Sequence, residues 1–199
     1  MSVNATVALA GNPNVGKSTL FNRLTGLRQH TGNWPGKTVA VAQGRFCWAG
    51  REFQLIDLPG AYSLMAHSAE EEIARDYLLS GQYGAVCVVC DATSLLRCLP
   101  LALQAMEITP NVVVCVNLMD EAAARGIQVD GQALERGLGA PVVCVSARDG
   151  SGLDRLMAKL DQVCRQGNPP PPAIPYPPQV EAALKALAGP SPTPQSRWR

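Results

Sequence analysis

Strand-length apolar runs alternate with stretches of helical periodicity along most of this chain. Ala5 to Ala10, Leu55 to Asp57, Ala85 to Cys90, Val112 to Val116 and Val142 to Val145 are largely apolar, and each is followed by polar or turn-forming residues. Runs of that length read as strands buried on both faces. Between them, apolar residues recur at helical spacing in Ser18 to Leu24, Glu70 to Leu79, Leu95 to Glu107 and Leu153 to Val163. In the last of these Leu153, Leu156, Met157 and Leu160 share one face. Ser68 stands as an N-cap before the acidic first turn of the second helix. Val39 to Trp48 and Glu52 to Asp57 flank the short turn Ala49-Gly50-Arg51, which predicts a hairpin and one antiparallel strand. The pattern is α/β, with a mostly parallel six-stranded sheet, one antiparallel strand and helices on both faces. Residues 28 to 38 and 61 to 69 carry no such period and read as mobile loops.

The first strand runs directly into Gly11-Asn12-Pro13-Asn14-Val15-Gly16-Lys17-Ser18, and a helix comes next. This matches the phosphate-loop pattern G-x-x-x-x-G-K-[ST] in its required context. A strand feeding such a loop into a helix aims backbone N–H groups and the positive helix end at a phosphate. Lys17 is then placed for the β- and γ-phosphates, and the Ser18 hydroxyl for Mg²⁺. Asp57 ends a strand in Asp57-Leu58-Pro59-Gly60, where it can hold Mg²⁺ through water while the Gly60 N–H meets a γ-phosphate. Thr38, between these two motifs, can give Mg²⁺ a second hydroxyl from a mobile loop.

The base is read further on. Asn117-Leu118-Met119-Asp120 leaves the end of the strand Val112 to Val116. An Asp carboxylate accepts from the ring N–H and exocyclic amino group of guanine, and the Asn contacts the far edge and ties the loop down. Adenine offers no matching donors, so the buried polar groups of such a site would be left unpaired. Ser146-Ala147-Arg148 comes after the last strand, and its backbone can close over the base. The ligand expected is GTP or GDP, with Mg²⁺; an ATP enzyme would leave Asn117 and Asp120 without a task.

Composition narrows the setting. Lys and Arg total 17 against 16 Asp and Glu, a net charge of +1, which gives no nucleic-acid surface. No apolar stretch approaches the ~20 residues needed to cross a bilayer, and the N-terminus enters a strand with no signal peptide before it. The 7 cysteines read as small buried apolar residues. Cys87 and Cys90 have C-x-x-C spacing, but within a strand they point to opposite faces and cannot share a metal. His30 and His67 fall in the two mobile loops and read as solvated. Proline then concentrates after Gly167. The division expected is a GTPase domain over 1–166, a Pro-rich linker over 167–178, and a short helix or a disordered tail over 179–199.

The runs Gly11 to Thr19, Gly32-Asn33-Trp34-Pro35-Gly36-Lys37-Thr38-Val39, Asp57 to Leu64 and Glu71 to Leu79 resemble the cytosolic GTPase domain of the ferrous iron transport protein B (FeoB) family, as does Leu118 where common GTPases carry Lys. The resemblance covers about residues 4 to 165. It implies a P-loop GTPase domain at the cytoplasmic face of the bacterial inner membrane. That domain regulates Fe²⁺ uptake by the membrane-embedded remainder of the same polypeptide. The resemblance would make residues 179–199 the start of a truncated helical subdomain. A homo-oligomer is compatible with it, and nucleic acid is not a partner. The nucleotide set it implies is Gly11 to Thr19, Gly36, Thr38, Asp57, Gly60, Asn117, Leu118, Asp120 and Ser146 to Arg148. Ala61 stands where many small GTPases place a water-orienting Gln. A methyl group orients no water, so intrinsic hydrolysis should be slow, and Arg28 lies too far back to be an obvious finger. The resemblance supplies a substitute, a K⁺ held by Asn14 with the carbonyls of Gly32 and Trp34. Asn14, Lys17, Thr38 and Gly60 are the expected catalytic group. Two alternatives stand beside this reading: a soluble potassium-activated GTPase associated with ribosomes or RNA, and a non-catalytic nucleotide-gated binding module.

Overall fold

The computed structural model describes residues 3–26, 29–33, 40–65, 67–170, 172 and 176–188. At its centre is β1 (Ala5–Gly11), flanked in parallel by β4 (Arg51–Asp57) and β5 (Ala85–Asp91). Beyond β5 come β6 (Val112–Asn117) and the short β7 (Val142–Cys144), both parallel. On the other side β3 (Ala40–Trp48) pairs antiparallel with β4. The six predicted strands, five parallel and one antiparallel, are all present.

A seventh strand is not read from the sequence. β2 (Gln29–Asn33) pairs antiparallel with β3 at the sheet edge, giving the order β2-β3-β4-β1-β5-β6-β7. Part of the segment expected to be a mobile loop is thus an edge strand. Its residues, Gln-His-Thr-Gly-Asn, show no apolar alternation, and an edge ladder is held by backbone groups that need none.

The central strands explain their continuous apolar runs. Val7, Ala8, Leu9, Val86 to Cys90 and Val112 to Val116 are all but inaccessible, because helices cover both faces. Those helices are α1 (Lys17–Thr25), α2 (Ala69–Ser80), α3 (Leu95–Ile108) and α6 (Leu153–Gln166). Ser68 does cap α2, its side chain accepting from the Glu71 N–H. The sequence reading leaves out α4 (Met119–Ala124) and α5 (Gly131–Leu138), which packs on β7 and has no fully buried residue. After α6, Asn168 is bonded to Asn111, Pro110 and Val112, and the Tyr176 hydroxyl donates to Glu107 at 2.6 Å. The proline-rich segment therefore touches the sheet domain at these points before α7 (Pro178–Ala188) begins.

Cysteine packing obeys strand geometry, with one correction. The Cys90 thiol meets Cys98 of α3, whereas Cys87 meets Cys115 on the opposite face of the sheet. The hydrogen bond with Cys87, together with burial, pushes the Cys115 thiol well up. Cys47, expected in the core, is exposed; β3 turns Phe46 inward and Cys47 outward.

The β3–β4 hairpin turns through Ala49 (φ 48°) and Gly50 (φ 76°), two successive left-handed residues as a type I′ turn requires. Alanine is poorly suited to that conformation and asparagine is well suited. Ala49→Asn should therefore raise stability by about 0.5 kcal/mol, a rise of roughly 1–2 °C in thermal midpoint. A lowered midpoint would contradict this turn geometry.

Candidate nucleotide site

At the C-terminal end of β1 the chain turns tightly over β5. A Cβ on Gly11 would lie 2.8 Å from the Val89 carbonyl oxygen, so only glycine fits. Asn14 (φ 66°) and Gly16 (φ 78°) are both left-handed, which turns successive N–H groups into the concavity. Helix α1 then starts with no side-chain cap, leaving its first N–H groups directed at the cleft. That cleft, about 500 Å³, is lined by Asn12, Pro13, Asn14, Gly16, Lys17, Ser18, Thr19 and Gly60.

Lys17 closes one wall. Its ammonium donates to the Asp57 carboxylate and, at 2.7 Å, to the Leu58 carbonyl. Burial raises the Asp57 carboxyl above its usual range, and Lys17 partly offsets this by favouring the ionised form. Gly60 packs on Pro13, where a Cβ would stand 3.3 Å from the proline. Ala61 is in the core, and its N–H is bonded to the Gly11 carbonyl at 3.1 Å.

Among its described residues the loop after Gly60 has no helix or strand before Ala69, as its lack of period predicts. It is anchored by the fully buried Leu64 and by polar side chains. Glu71 accepts from the Ser63 and His67 N–H groups at 3.2 and 3.0 Å. Gln104 of α3 accepts from the Leu64 N–H at 2.8 Å and donates to the Ser63 hydroxyl at 3.3 Å. The Arg97 guanidinium lies 4.7 Å from the Tyr62 ring centroid. His67 is exposed, as expected.

Opposite the phosphate loop, Asn117 is fully buried. Its amide donates to the Val15 carbonyl, and its oxygen accepts from the Ala147 N–H, each at 3.0 Å. The expected tie is therefore made in both directions, to the phosphate loop and to the base loop. Leu118 is left-handed (φ 63°), a strained conformation for a branched side chain that its neighbours impose. Asp120 offers Oδ2 to Arg148 at 3.3 Å, while its buried Oδ1 has no partner among the described residues. Ser146 is buried with an unpartnered hydroxyl, and the buried Asn12 Oδ1 is likewise unpartnered.

Of the remaining predicted residues, Trp34, Gly36 and Thr38 lie outside the described residues, as do Arg28 and the His30 side chain. Gly32 is in β2, opposite Val41 and three strands out from β1, so this arrangement does not bring it to Asn14. Three residues escape the sequence reading: Glu71, Gln104, and Arg23, which donates to the Ala147 and Arg148 carbonyls. Only Glu71 leaves a signal, standing three residues after the N-cap Ser68 in capping-box spacing.

A mostly parallel sheet with this loop, this aspartate and this Asn-x-x-Asp turn along one edge defines a P-loop GTPase fold. The match to known proteins is more specific. The family model described as ferrous iron transport protein B covers residues 5–160, and the chain belongs to that family. The Fe(2+) transporter FeoB of Salmonella typhimurium (strain LT2) is 42% identical over 161 residues, 79% of this chain and 21% of that protein. The chain thus spans about a fifth of the length of the curated relatives it matches. The G domain of the T. maritima FeoB iron transporter superposes with a TM-score of 0.76 at 43% identity, covering 81% of this chain and 98% of that one. The T. maritima cytosolic domain in its GMPPNP form gives 0.88 at 40% identity, over 94% and 73%. The cytosolic domain of L. pneumophila FeoB gives 0.88 at 35%, over 97% and 78%.

Gly16 is where the two halves of the site touch. A Cβ there would run into the Asn117 amide nitrogen, and its left-handed φ is itself strained for alanine. Gly16→Ala should cost about 2–4 kcal/mol, from backbone strain and a displaced buried amide. The thermal midpoint should fall by roughly 5–15 °C. An unchanged midpoint would mean that Asn117 does not hold the loop.

Proposed function

We propose that this chain is a guanine-nucleotide switch that binds GTP and GDP with Mg²⁺ and hydrolyses GTP slowly. One observation carries the reading. Among the described residues four buried side-chain oxygen atoms lack a partner, and three belong to Asn12 of the cleft lining and to Asp120 and Ser146 of the two segments joined by Asn117. Unsatisfied buried oxygens are rare in native folds and call for a ligand that satisfies them. Asp120 Oδ1 suits the donors of guanine's ring N–H and amino group.

We assign the remaining roles from the motifs in the sequence and the family resemblance. N–H groups from Gly11 to Thr19 cradle the phosphates, Lys17 passes from Asp57 to a phosphate oxygen, and the Gly60 N–H faces the γ-phosphate. Ser18, Thr38 and Asp57 form an oxygen donor set that suits Mg²⁺. By the family resemblance we assign Gly36 to the phosphates, Leu118 to the base, and the Ser146-Ala147-Arg148 backbone to closing over it. With Ala61 in the core, the catalytic help comes from elsewhere, and we assign it to the exposed Asn14 on the cleft rim. A K⁺ bound by Asn14, with Gly32 and Trp34 contributing if β2 is remodelled, would supply the charge that an arginine finger supplies elsewhere. Lys17, Thr38 and Gly60 complete the catalytic group.

The wider role is read through the family. The relatives are FeoB transporters of which this chain matches a fifth, so we assign it the regulation of Fe²⁺ uptake at the cytoplasmic face of a bacterial inner membrane. Residues 1–166 form the GTPase domain, 167–178 the linker, and 179–199 the start of a helical subdomain. No helix among the described residues is long and apolar enough to cross a membrane. The buried Ala61 also favours a second reading, a non-catalytic nucleotide-gated module. Turnover measured in KCl and in NaCl at equal ionic strength, with Asn14→Ala alongside, separates the two. The switch predicts stimulation of about tenfold or more by K⁺ that is lost in the variant. Equal slow rates in both salts would remove the K⁺ mechanism, and no turnover in either would favour the binding module.

A further inference from the structure

The strongest unassigned feature around the cleft is an arginine outside every nucleotide motif. Arg23 sits in the last turn of α1, the helix that begins at the phosphate loop. Its Nε donates to the Ala147 carbonyl at 3.2 Å and its Nη2 to the Arg148 carbonyl at 2.6 Å. These partners lie 124 and 125 residues away in sequence. The planar guanidinium places two N–H donors in a fixed fork, so it grips two successive carbonyls as a flexible ammonium would not.

We infer that Arg23 is a positioning residue that sets how long guanine nucleotide stays bound, an inference that rests on the guanine-nucleotide reading above. A trans peptide points its C=O and N–H in opposite directions. Holding the Ala147 and Arg148 carbonyls towards Arg23 therefore turns the Arg148 and Asp149 N–H groups away from it. The same loop is pinned from inside by Asn117, which takes the Ala147 N–H at 3.0 Å, and by the Ser146–Ser151 backbone bridge. Asn117 fixes the buried side of the loop and Arg23 the outer side. With its backbone so held, Arg148 extends its guanidinium to Asp120 at 3.3 Å and Glu121 at 3.1 Å. Arg23 thus reaches Asp120 indirectly, and it joins the base loop to the helix whose first turn faces the phosphates.

A plain surface role is the competing account. Arg23 is exposed, and a basic residue near a helix C-terminus interacts favourably with the helix dipole whatever else it touches. That account predicts a small loss of stability and no change confined to the base. Ours predicts that base retention suffers while the phosphate cradle does not.

Release of a fluorescent methylanthraniloyl-GDP, chased by excess GDP, tests this on the full chain with Arg23→Ala and Arg23→Lys. Affinity for inorganic pyrophosphate and the thermal midpoint are measured on the same proteins. Loss of a charge-assisted fork at a partly exposed site should speed release about five- to tenfold. Pyrophosphate affinity should stay within twofold of wild type, and Arg23→Lys should recover part of the retention. Release within twofold of wild type for Arg23→Ala would overturn the assignment, as would a parallel fall in pyrophosphate affinity. Failure of the wild-type chain to bind the fluorescent GDP would instead overturn the guanine-nucleotide reading itself.

Discussion

The buried amide of Asn117 is the contact on which the site depends. One side chain, closed off from water, bonds to the phosphate loop through Val15 and to the base loop through Ala147. Breaking either bond would leave a buried polar atom unpaired, at about 1–3 kcal/mol. Gly16 is glycine because Asn117 occupies the space a Cβ would take. Leu118 accepts a left-handed backbone on the turn between that amide and Asp120. Two loops far apart in sequence thereby behave as one wall, and the sheet beneath supplies the rigidity. Asn117 ends β6, whose neighbour β5 stands beside β1 and its loop.

Around that wall the fold departs from full satisfaction in a way that marks function. Asn12, Asp120 and Ser146 each present a buried oxygen without a partner, within an otherwise well-packed core. Lys17 and Asp57 show the opposite arrangement: the two charged groups that the proposal assigns to phosphate and cation are paired with each other across the cleft wall. Local departures from complete pairing are expected where a ligand completes the set. The loop after Gly60 is held both by Glu71 and Gln104 through hydrogen bonds and by Ala61 and Leu64, which are buried in the core.

Much of this is legible in the chain because buried parallel strands announce themselves as short apolar runs and phosphate loops demand fixed residue types. The central strands, the hairpin, the Ser68 cap and the line of motifs at one sheet edge all arise from those two constraints. The features that escape have physical reasons. β2 is polar throughout and pairs by backbone alone, so periodicity cannot separate it from a loop. α5 buries no residue fully, which blurs its period. Cys47 illustrates that a strand residue of apolar type faces water when alternation puts it there. Arg23 and Gln104 act across more than a hundred and about forty residues of sequence respectively, through contacts that no local pattern encodes. Gly32 shows the reverse limit, since the residue is identified from a family motif while its place in an edge strand depends on pairing with Val41.

Competition for the site by three unlabelled nucleotides bears most directly on the central claim, that the unpartnered Asp120 oxygen awaits guanine. A fluorescent GDP would be displaced by GDP, by IDP and by ADP in parallel titrations. IDP lacks only the exocyclic amino group, and ADP reverses the donor pattern. The account predicts displacement by GDP, weakening by about tenfold or more for IDP, and next to none by ADP. Equal displacement by ADP would contradict it, leaving the phosphate loop in place but removing the role assigned to Asp120 and Asn117.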